Sequence, residues 1–236
     1  MTEREKPRTS HGRPVGAPLP DWTPRDRPGR VPMEGRYGRL EPLEAERHSA
    51  ELFSAFAHDA EGVDWIYLPY GPFDEQSALR SWLREMSKTE DPLFFTILDA
   101  GGRAVGLASY LRIDPSVGSI EVGHIHYSPL LQRTRAATEA MYLMARRVFD
   151  ELGYRRYEWK CDALNEASRR AAERLGFTYE GTFRKHRIYK GRNRDTAWYS
   201  ITDSEWPPIR AAMEAWLDTS NFDESGEQRR SLETRK

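Results

Sequence analysis

One cysteine, Cys161, stands in a chain of 236 residues. A lone thiol excludes an intramolecular disulfide and the common Cys-rich zinc sites. Long apolar runs are also missing, since no stretch approaches the roughly 18 residues that span a bilayer. The first ten residues, MTEREKPRTS, lack the apolar block of a secretion leader. Charge of one sign is not in excess either: 36 Lys and Arg stand against 37 Asp and Glu, a formal net charge of -1. No global field therefore favours nucleic acid or an anionic membrane. Together these absences predict a soluble cytoplasmic protein with no membrane, nucleic-acid or metal partner.

What is present points to an ordered middle with polar ends. Charged residues make up 31% of the chain, but aromatics reach 11%, too many for wholesale disorder. Residues 1–34 are rich in Pro, Arg and Gly and read as a flexible tail, laid along the domain through Trp22. Residues 35–218 read as the folded domain, and residues 219–236 as a second polar tail. There is no internal repeat.

Inside the domain, residues 36–41 give a modest strand signal closed by Pro42. Leu52, Phe53 and Phe56 share one helical face within residues 43–60. Prolines and a glycine keep the aromatic run 65–73 out of a helix. Asp74 is the expected N-cap of a helix carrying Leu79, Trp82, Leu83 and Met86. Three strand-like runs follow at 93–98, 103–113 and 119–127, separated by turn residues as in an antiparallel meander. Ala137, Met141, Met144, Val148 and Leu152 then mark a long helix, with Gly153 at its C′ position. Residues 155–161 alternate with period two, Tyr157, Trp159 and Cys161 against Arg156, Glu158 and Lys160. A short helix from Asn165, strands at 177–188 and 196–202 joined by a turn at 190–195, and a helix opened by Trp206-Pro207-Pro208 complete the chain. The strand-helix-strand unit around 127–161 requires a parallel pairing with a crossover. The class is α+β with a mixed sheet of about seven strands.

Residues 128–140 join a strand to the long helix. The first N–H groups of that helix have no internal partner, and the positive end of its dipole lies behind them. Pyrophosphate fits such a site. Ala136 and Ala137 allow close approach, and Arg133 and Arg135 add charge. Spacing alone favours a solvated helix start with two surface arginines.

The stretch from Gly35 to Pro207 resembles the GNAT acetyltransferase superfamily, in particular its RimJ and RimL branch. Gln132, Arg135 and Ala137 occupy positions of that family's pyrophosphate motif, with Arg135 where a glycine is usual, and Ala137-Thr138-Glu139-Ala140 continues the match. A second motif is Asn165-Glu166-Ala167-Ser168, closed by Leu175-Gly176-Phe177 and Glu180-Gly181. The resemblance implies the GNAT fold and an enzyme that moves acetyl from acetyl-CoA, without a metal, to a primary amine by direct attack. The acceptor is a small molecule or a peptide, and a homodimer is left open.

It further implies that the donor is held by Ile125, His126, Tyr127, Gln132, Arg133, Thr134, Arg135, Ala136, Ala137, Thr138, Asn165 and Ser168. Backbone N–H groups of 125–127 would polarise the acyl carbonyl. Ser168 is the expected thiolate partner, because the tyrosine that many members place one turn later is Ala172 here. Glu121 and His126 are candidate bases, with His124 beside them. Trp65, Tyr67, Tyr70, Phe73 and Trp159 are candidate acceptor contacts. The basic run Arg184, Lys185, His186, Arg187, Lys190, Arg192 and Arg194 would attract an acidic acceptor or the donor phosphates. An acyl-enzyme on Cys161 is disfavoured, because buried cysteines are inert. A non-catalytic acyl-CoA-binding protein on the same scaffold is the alternative, motivated by Arg135 and Ala172.

Overall fold

The computed structural model describes Pro7 and residues 10–234; the remaining parts of the two expected tails lie outside the described residues. Its centre is an eight-stranded sheet in the order β1-β2-β3-β4-β5-β6-β8-β7. The strands are β1 (Met33–Glu34), β2 (Gly38–Pro42), β3 (Leu93–Asp99), β4 (Ala104–Asp114), β5 (Ser119–Tyr127), β6 (Arg156–Asp162), β7 (Thr178–Tyr189) and β8 (Arg192–Thr202). Only the β5–β6 pair is parallel. The expected α+β class with a mixed sheet is present, and the short β1 makes the eighth strand.

Five helices cover the sheet: α1 (Ala45–Phe56), α2 (Gln76–Met86), α3 (Arg135–Arg146), α4 (Glu166–Arg174) and α5 (Trp206–Leu217). Helices α1 and α2 bury Leu52, Leu79 and Leu83 with Phe94 and Leu107 on one face. Each such side chain contributes about 1.5–3 kcal/mol. On the opposite face Met141, Met144, Ala172 and Met213 of α3, α4 and α5 pack on Ile120, Val122, Tyr157, Tyr199 and Ile201. The apolar cover of α1 and α2 ends at the β4–β5 side, so the same face of β6, β8 and β7 carries polar groups.

Several local expectations need correction. Asp74 does not cap α2; Glu75 takes the N-cap position in extended geometry without a side-chain bond. The long helix ends at Arg146 and continues as a single wide turn over Arg147–Glu151 before Gly153, whose φ is +67°. Strand β8 begins at Arg192, well before residue 196. Lys190 and Gly191 both have positive φ, +46° and +69°. That is the two-residue hairpin geometry that matches strand twist, so the ladder continues through the polar residues 192–195.

Both flanks lie against the domain. The Trp22 indole donates to the Ser116 carbonyl at 2.8 Å, and its ring fills the space that a Cβ on Gly118 would need. Arg147 donates to the carbonyls of Val31 and Pro32 at 2.6 and 2.8 Å. After α5, Phe222 and Leu232 are buried, and Asn221 bonds the carbonyls of Trp216 and Arg230.

Candidate active site

The parallel pairing of β5 with β6 runs from Ser119–Arg156 to Val122–Trp159 and stops there. Beyond it β5 continues to Tyr127 and β6 to Asp162, so the two central strands splay. The cause lies in β5. His124 adopts a left-handed φ of +49°, and the β4–β5 register shifts between Leu107 and Ser109. This bulge inserts one residue and turns the strand away from its neighbour. The result is a gap through the middle of the sheet, with a helix start at one mouth and an aromatic wall at the other.

Helix α3 starts at the first mouth. Thr134 is its N-cap and accepts the Ala137 N–H at 3.2 Å. The N–H groups of Arg135 and Ala136 precede the first intrahelical bond and point out of the helix end. The Arg135 side chain turns away from them. Its guanidinium packs 4.6 Å from the Tyr37 ring centre and 4.8 Å from that of Phe222. The residue that replaces the usual glycine therefore leaves the helix start open. Arg133 is exposed, with a left-handed φ of +62°. Gln132 donates to Asp64 Oδ2 at 2.8 Å and to the Tyr127 carbonyl at 3.0 Å, tying the loop before α3 to the opposite wall. Thr138 is buried and accepts from Arg174 at 3.1 Å. Glu139 accepts from the backbone N–H groups of Arg36, Tyr37 and Gly38 at 2.6–3.0 Å and holds the β1–β2 turn.

Asn165 and Ser168 line the β6 side. Asn165 Oδ1 caps α4 by accepting the Ser168 N–H at 3.0 Å. Ser168 Oγ accepts from the Trp159 indole at 2.9 Å. The Cys161 thiol is buried, and desolvation raises its pKa although a hydrogen bond with Ser168 opposes the shift. A thiol held protonated in this way is a poor nucleophile. Trp159 belongs to the core on the α3–α4 side and pairs in register with Val122 and Tyr199. It thus lies in a different core cluster from Trp65 and Tyr70.

The second mouth faces an aromatic wall. Trp65 is buried against Phe56, Phe73 and His126, with the His126 ring centre 3.8 Å away. His126 is 2% exposed. Burial pushes its pKa down to about 3 against smaller opposing effects of Asp59 and the Asp64 carbonyl. An imidazole this reluctant to take a proton is held neutral near pH 7. Burial, Arg112 and Arg194 push His124 down to about 4, and its Nδ1 lies 3.1 Å from the Tyr70 hydroxyl. Tyr70 stacks on His124 and on Trp82. Tyr67 is more open and donates to the Leu164 carbonyl at 3.2 Å across the gap. Lys190, at the tip of the β7–β8 hairpin, donates to the Trp65 carbonyl at 2.9 Å. The aromatic loop and the hairpin therefore meet over the splay.

Glu121 is 3% exposed. Its Oε1 lies 2.6 Å from Arg112 and its Oε2 2.9 Å from Lys160. Lys160 also binds Glu158 at 2.6 Å and sits 3.8 Å from the centre of the Trp198 ring. Burial pulls the Glu158 carboxyl upward, but hydrogen bonds from Lys160 and Arg156 outweigh it and hold the group below its ordinary range. This network across β4, β5 and β6 was not foreseen. The alternation in β6 sets Arg156, Glu158 and Lys160 on one face, and the β5 and β8 neighbours bring partners to it. Arg112 had no signal at all, because its position on β4 looked like a routine strand exterior.

A sheet split between its central strands, with an anion-ready helix start on one side and an aromatic groove on the other, defines an acyltransferase scaffold of the GNAT type. Residues 39–178 match the family model of the acetyltransferase (GNAT) domain. The chain belongs to this family. It is similar to a GCN5-related N-acetyltransferase from Brucella melitensis, with 50% identity over 91% of this chain and 97% of that one, and a TM-score of 0.89. A protein from Chromobacterium violaceum assigned to the GNAT family is 40% identical over 82% of this chain and 97% of that one, at a TM-score of 0.76. The Microcin C7 self-immunity acetyltransferase MccE, solved in complex with acetyl-CoA and AMP, shares the fold at 21% identity, a TM-score of 0.63, and coverage of 71% of this chain and 93% of that one. No curated protein matches the sequence. No group of His, Cys, Asp and Glu among the described residues is arranged to hold a metal ion. No helix among them is long and apolar enough to cross a membrane.

Proposed function

We propose that this chain is a cytoplasmic, acetyl-CoA-dependent N-acetyltransferase that modifies a primary amine by direct attack. The observation that carries the reading is the splay beyond Val122 and Trp159, open to α3 on one side and to the aromatic groove on the other. When bound, acetyl-CoA supplies an acetyl group activated as a thioester. The residues present fit it. The N–H groups of Arg135 and Ala136, with the dipole of α3 behind them, suit the pyrophosphate. Ala136 and Ala137 leave room for it, and Arg133 reaches outward to add charge. Backbone groups of Ile125, His126 and Tyr127, free of a β6 ladder partner, suit the pantetheine arm and can polarise the acyl oxygen. Asn165 and Ser168 close the opposite side.

Proton handling follows from the side chains. Ser168 Oγ accepts from the Trp159 indole, and its O–H, which opposes the rise in the Cys161 pKa, can turn from that thiol to donate to a leaving sulfur. Glu121 Oε1 pairs with Arg112, while Oε2 lies 2.9 Å from Lys160 but accepts no hydrogen bond, so Glu121 acts through ordered water or through its charge. His126 takes no part as a base. The amine therefore reacts as the free base, and kcat/KM rises with pH through the pKa of the amine itself. The test is thiol release from acetyl-CoA with a panel of amines and peptides between pH 6.5 and 9, paired with thermal stabilisation by acetyl-CoA. Absence of both would remove the enzyme reading. Stabilisation without turnover of any amine would favour a donor-binding protein.

A further inference from the structure

The acceptor groove holds a cation without a counter-charge. Arg194 on β8 is half-buried, and no carboxylate among the described residues lies within ion-pair distance of it. Its Nε donates to Thr196 Oγ1 at 3.1 Å, and the same hydroxyl lies 3.0 Å from His186 Nδ1. Thr196 thus accepts from Arg194 and shares a second hydrogen bond with the His186 ring. The remaining nitrogens of Arg194 make no hydrogen bond among the described residues. Burial lowers the pKa of Arg194, and the charge of Asp162 is the largest effect opposing that shift. Asp162, however, is occupied: Oδ1 accepts the Leu164 N–H at 2.9 Å and Oδ2 the Tyr189 hydroxyl at 2.9 Å. Asp195 faces the hairpin and accepts from the Lys185 N–H and from Asn193.

Other groups around the groove reinforce the sign. Arg194 and Arg112 both depress His124, which touches Tyr70 in the aromatic wall. They also depress His186, after burial and Arg187. Phe183, Arg184, Lys185 and His186 line an open recess on the same hairpin. Arg112 itself is neutralised by Glu121, and Lys160 by Glu121 and Glu158. Among the described cations of this face, Arg194 is half-buried without an ion pair, its guanidinium 6.0 Å from the Tyr189 ring centre. A guanidinium removed from water and unpaired is costly unless a ligand supplies the anion. Its planar fork matches an oxyanion in two-point geometry.

We propose that Arg194 anchors an oxyanion, carboxylate or phosphate, carried by the acceptor close to its primary amine. This deepens the N-acetyltransferase reading and rests on it. The anion offsets the repulsion that cations of the groove exert on an incoming ammonium. The same cations favour loss of the ammonium proton, which suits a site whose histidines are poor bases.

The experiment uses matched acceptors: an α-amino acid against its amide, and phosphoethanolamine against ethanolamine. Initial rates of thiol release are compared for the full chain, Arg194→Gln and Arg194→Lys. The anionic member of at least one pair should be preferred by about tenfold or more in kcat/KM, the worth of one charge-assisted contact. The preference should fall below about threefold in Arg194→Gln and be partly restored in Arg194→Lys, with the KM for acetyl-CoA unchanged. The two pairs tell carboxylate from phosphate. A second readout needs no turnover: the N-acetyl amino acid should raise the melting temperature more than its amide, and Arg194→Gln should abolish the difference. Turnover without anion preference, or a preference retained in Arg194→Gln, overturns the proposal and leaves the enzyme reading intact. Absence of turnover with every amine overturns the enzyme reading, and the product-stabilisation arm then decides on the anion site alone.

Discussion

Replacing Arg135 with glycine restores the residue usual in the pyrophosphate motif and separates two roles that the position could have. In the structure the guanidinium lies 4.6 Å from the Tyr37 ring and 4.8 Å from the Phe222 ring, away from the helix start. Each contact is worth about 0.5–1 kcal/mol at a partly exposed site. Glycine within a helix costs up to about 1 kcal/mol relative to better helix formers. The variant should therefore lose about 1–3 kcal/mol of stability. For a domain of this size that is a fall of about 2–12 °C in melting temperature. Arg135→Ala keeps the helix propensity and should lose only the stacking share. Donor affinity behaves differently. The N–H groups that face the donor are backbone, so the KM for acetyl-CoA should move by less than about threefold in Arg135→Ala. A phosphate contact worth about 1.5–3 kcal/mol would instead raise KM by about ten- to a hundredfold. Thermal melts and acetyl-CoA saturation curves on both variants decide the matter. An unchanged melting temperature with a KM raised more than tenfold would refute the stacking assignment.

Lys160→Met should destabilise the chain by about 3–5 kcal/mol in urea unfolding at pH 7, because it strands buried Glu121 and Glu158. The double change with Glu121→Gln should cost less than the sum of the two single changes; strict additivity would count against the network. His126→Phe should flatten the acid limb of stability. With a folded pKa near 3 against about 6.5 unfolded, the unfolded chain binds the extra proton in that window, so stability is full above pH 6.5 and falls with acid by up to about 1.4 kcal/mol per pH unit. Unfolding curves at pH 4.5, 5.5 and 7 measure this, and an unaltered slope would contradict a neutral, packed imidazole. Glu139→Ala removes the acceptor of three backbone N–H groups, and a loss of about 3–5 kcal/mol is expected by calorimetry, with the KM for acetyl-CoA unchanged if the carboxylate serves only the β1–β2 turn.

The order of elements was legible because each carries a local signal. Met141, Met144 and Val148 recur at helical spacing, and Tyr157, Trp159 and Cys161 at strand spacing. The boundaries that went astray were set by conformations with no compositional mark. Lys190 is not a residue that announces positive φ, so β8 seemed to start late. The helix start before Ala136 was legible from small residues and chain order. The orientation of the Arg135 side chain was not, since its partners Tyr37 and Phe222 are about a hundred residues away on either side. The same holds for Trp159, whose face depends on which helices cover β6. Charges at alternate positions of a central strand are ambiguous in principle. They face water if the sheet is bare and form ion pairs if neighbouring strands bring partners. Arg112, Glu121, Lys160 and Glu158 are the second case.

Why the site lies in the middle of a sheet follows from topology. A parallel pair needs a crossover, and the β5–β6 crossover is α3, which must start where β5 ends. The helix start is thereby delivered to the C-terminal end of β5 by connectivity alone. The bulge at His124 then frees the last residues of β5 from β6, so the peptide groups that would have closed the ladder face an opening instead. A sheet normally separates its two faces. Where the ladder stops this separation ends, and under the proposed function an activated acyl group would approach from the α3 side and an amine from the Trp65–Tyr70 side. The partition of charge fits that division. The donor side presents backbone N–H groups and the α3 dipole, suited to a phosphate that is always anionic. The acceptor side presents Arg194 and histidines held neutral, suited to an amine that must shed a proton before it can attack.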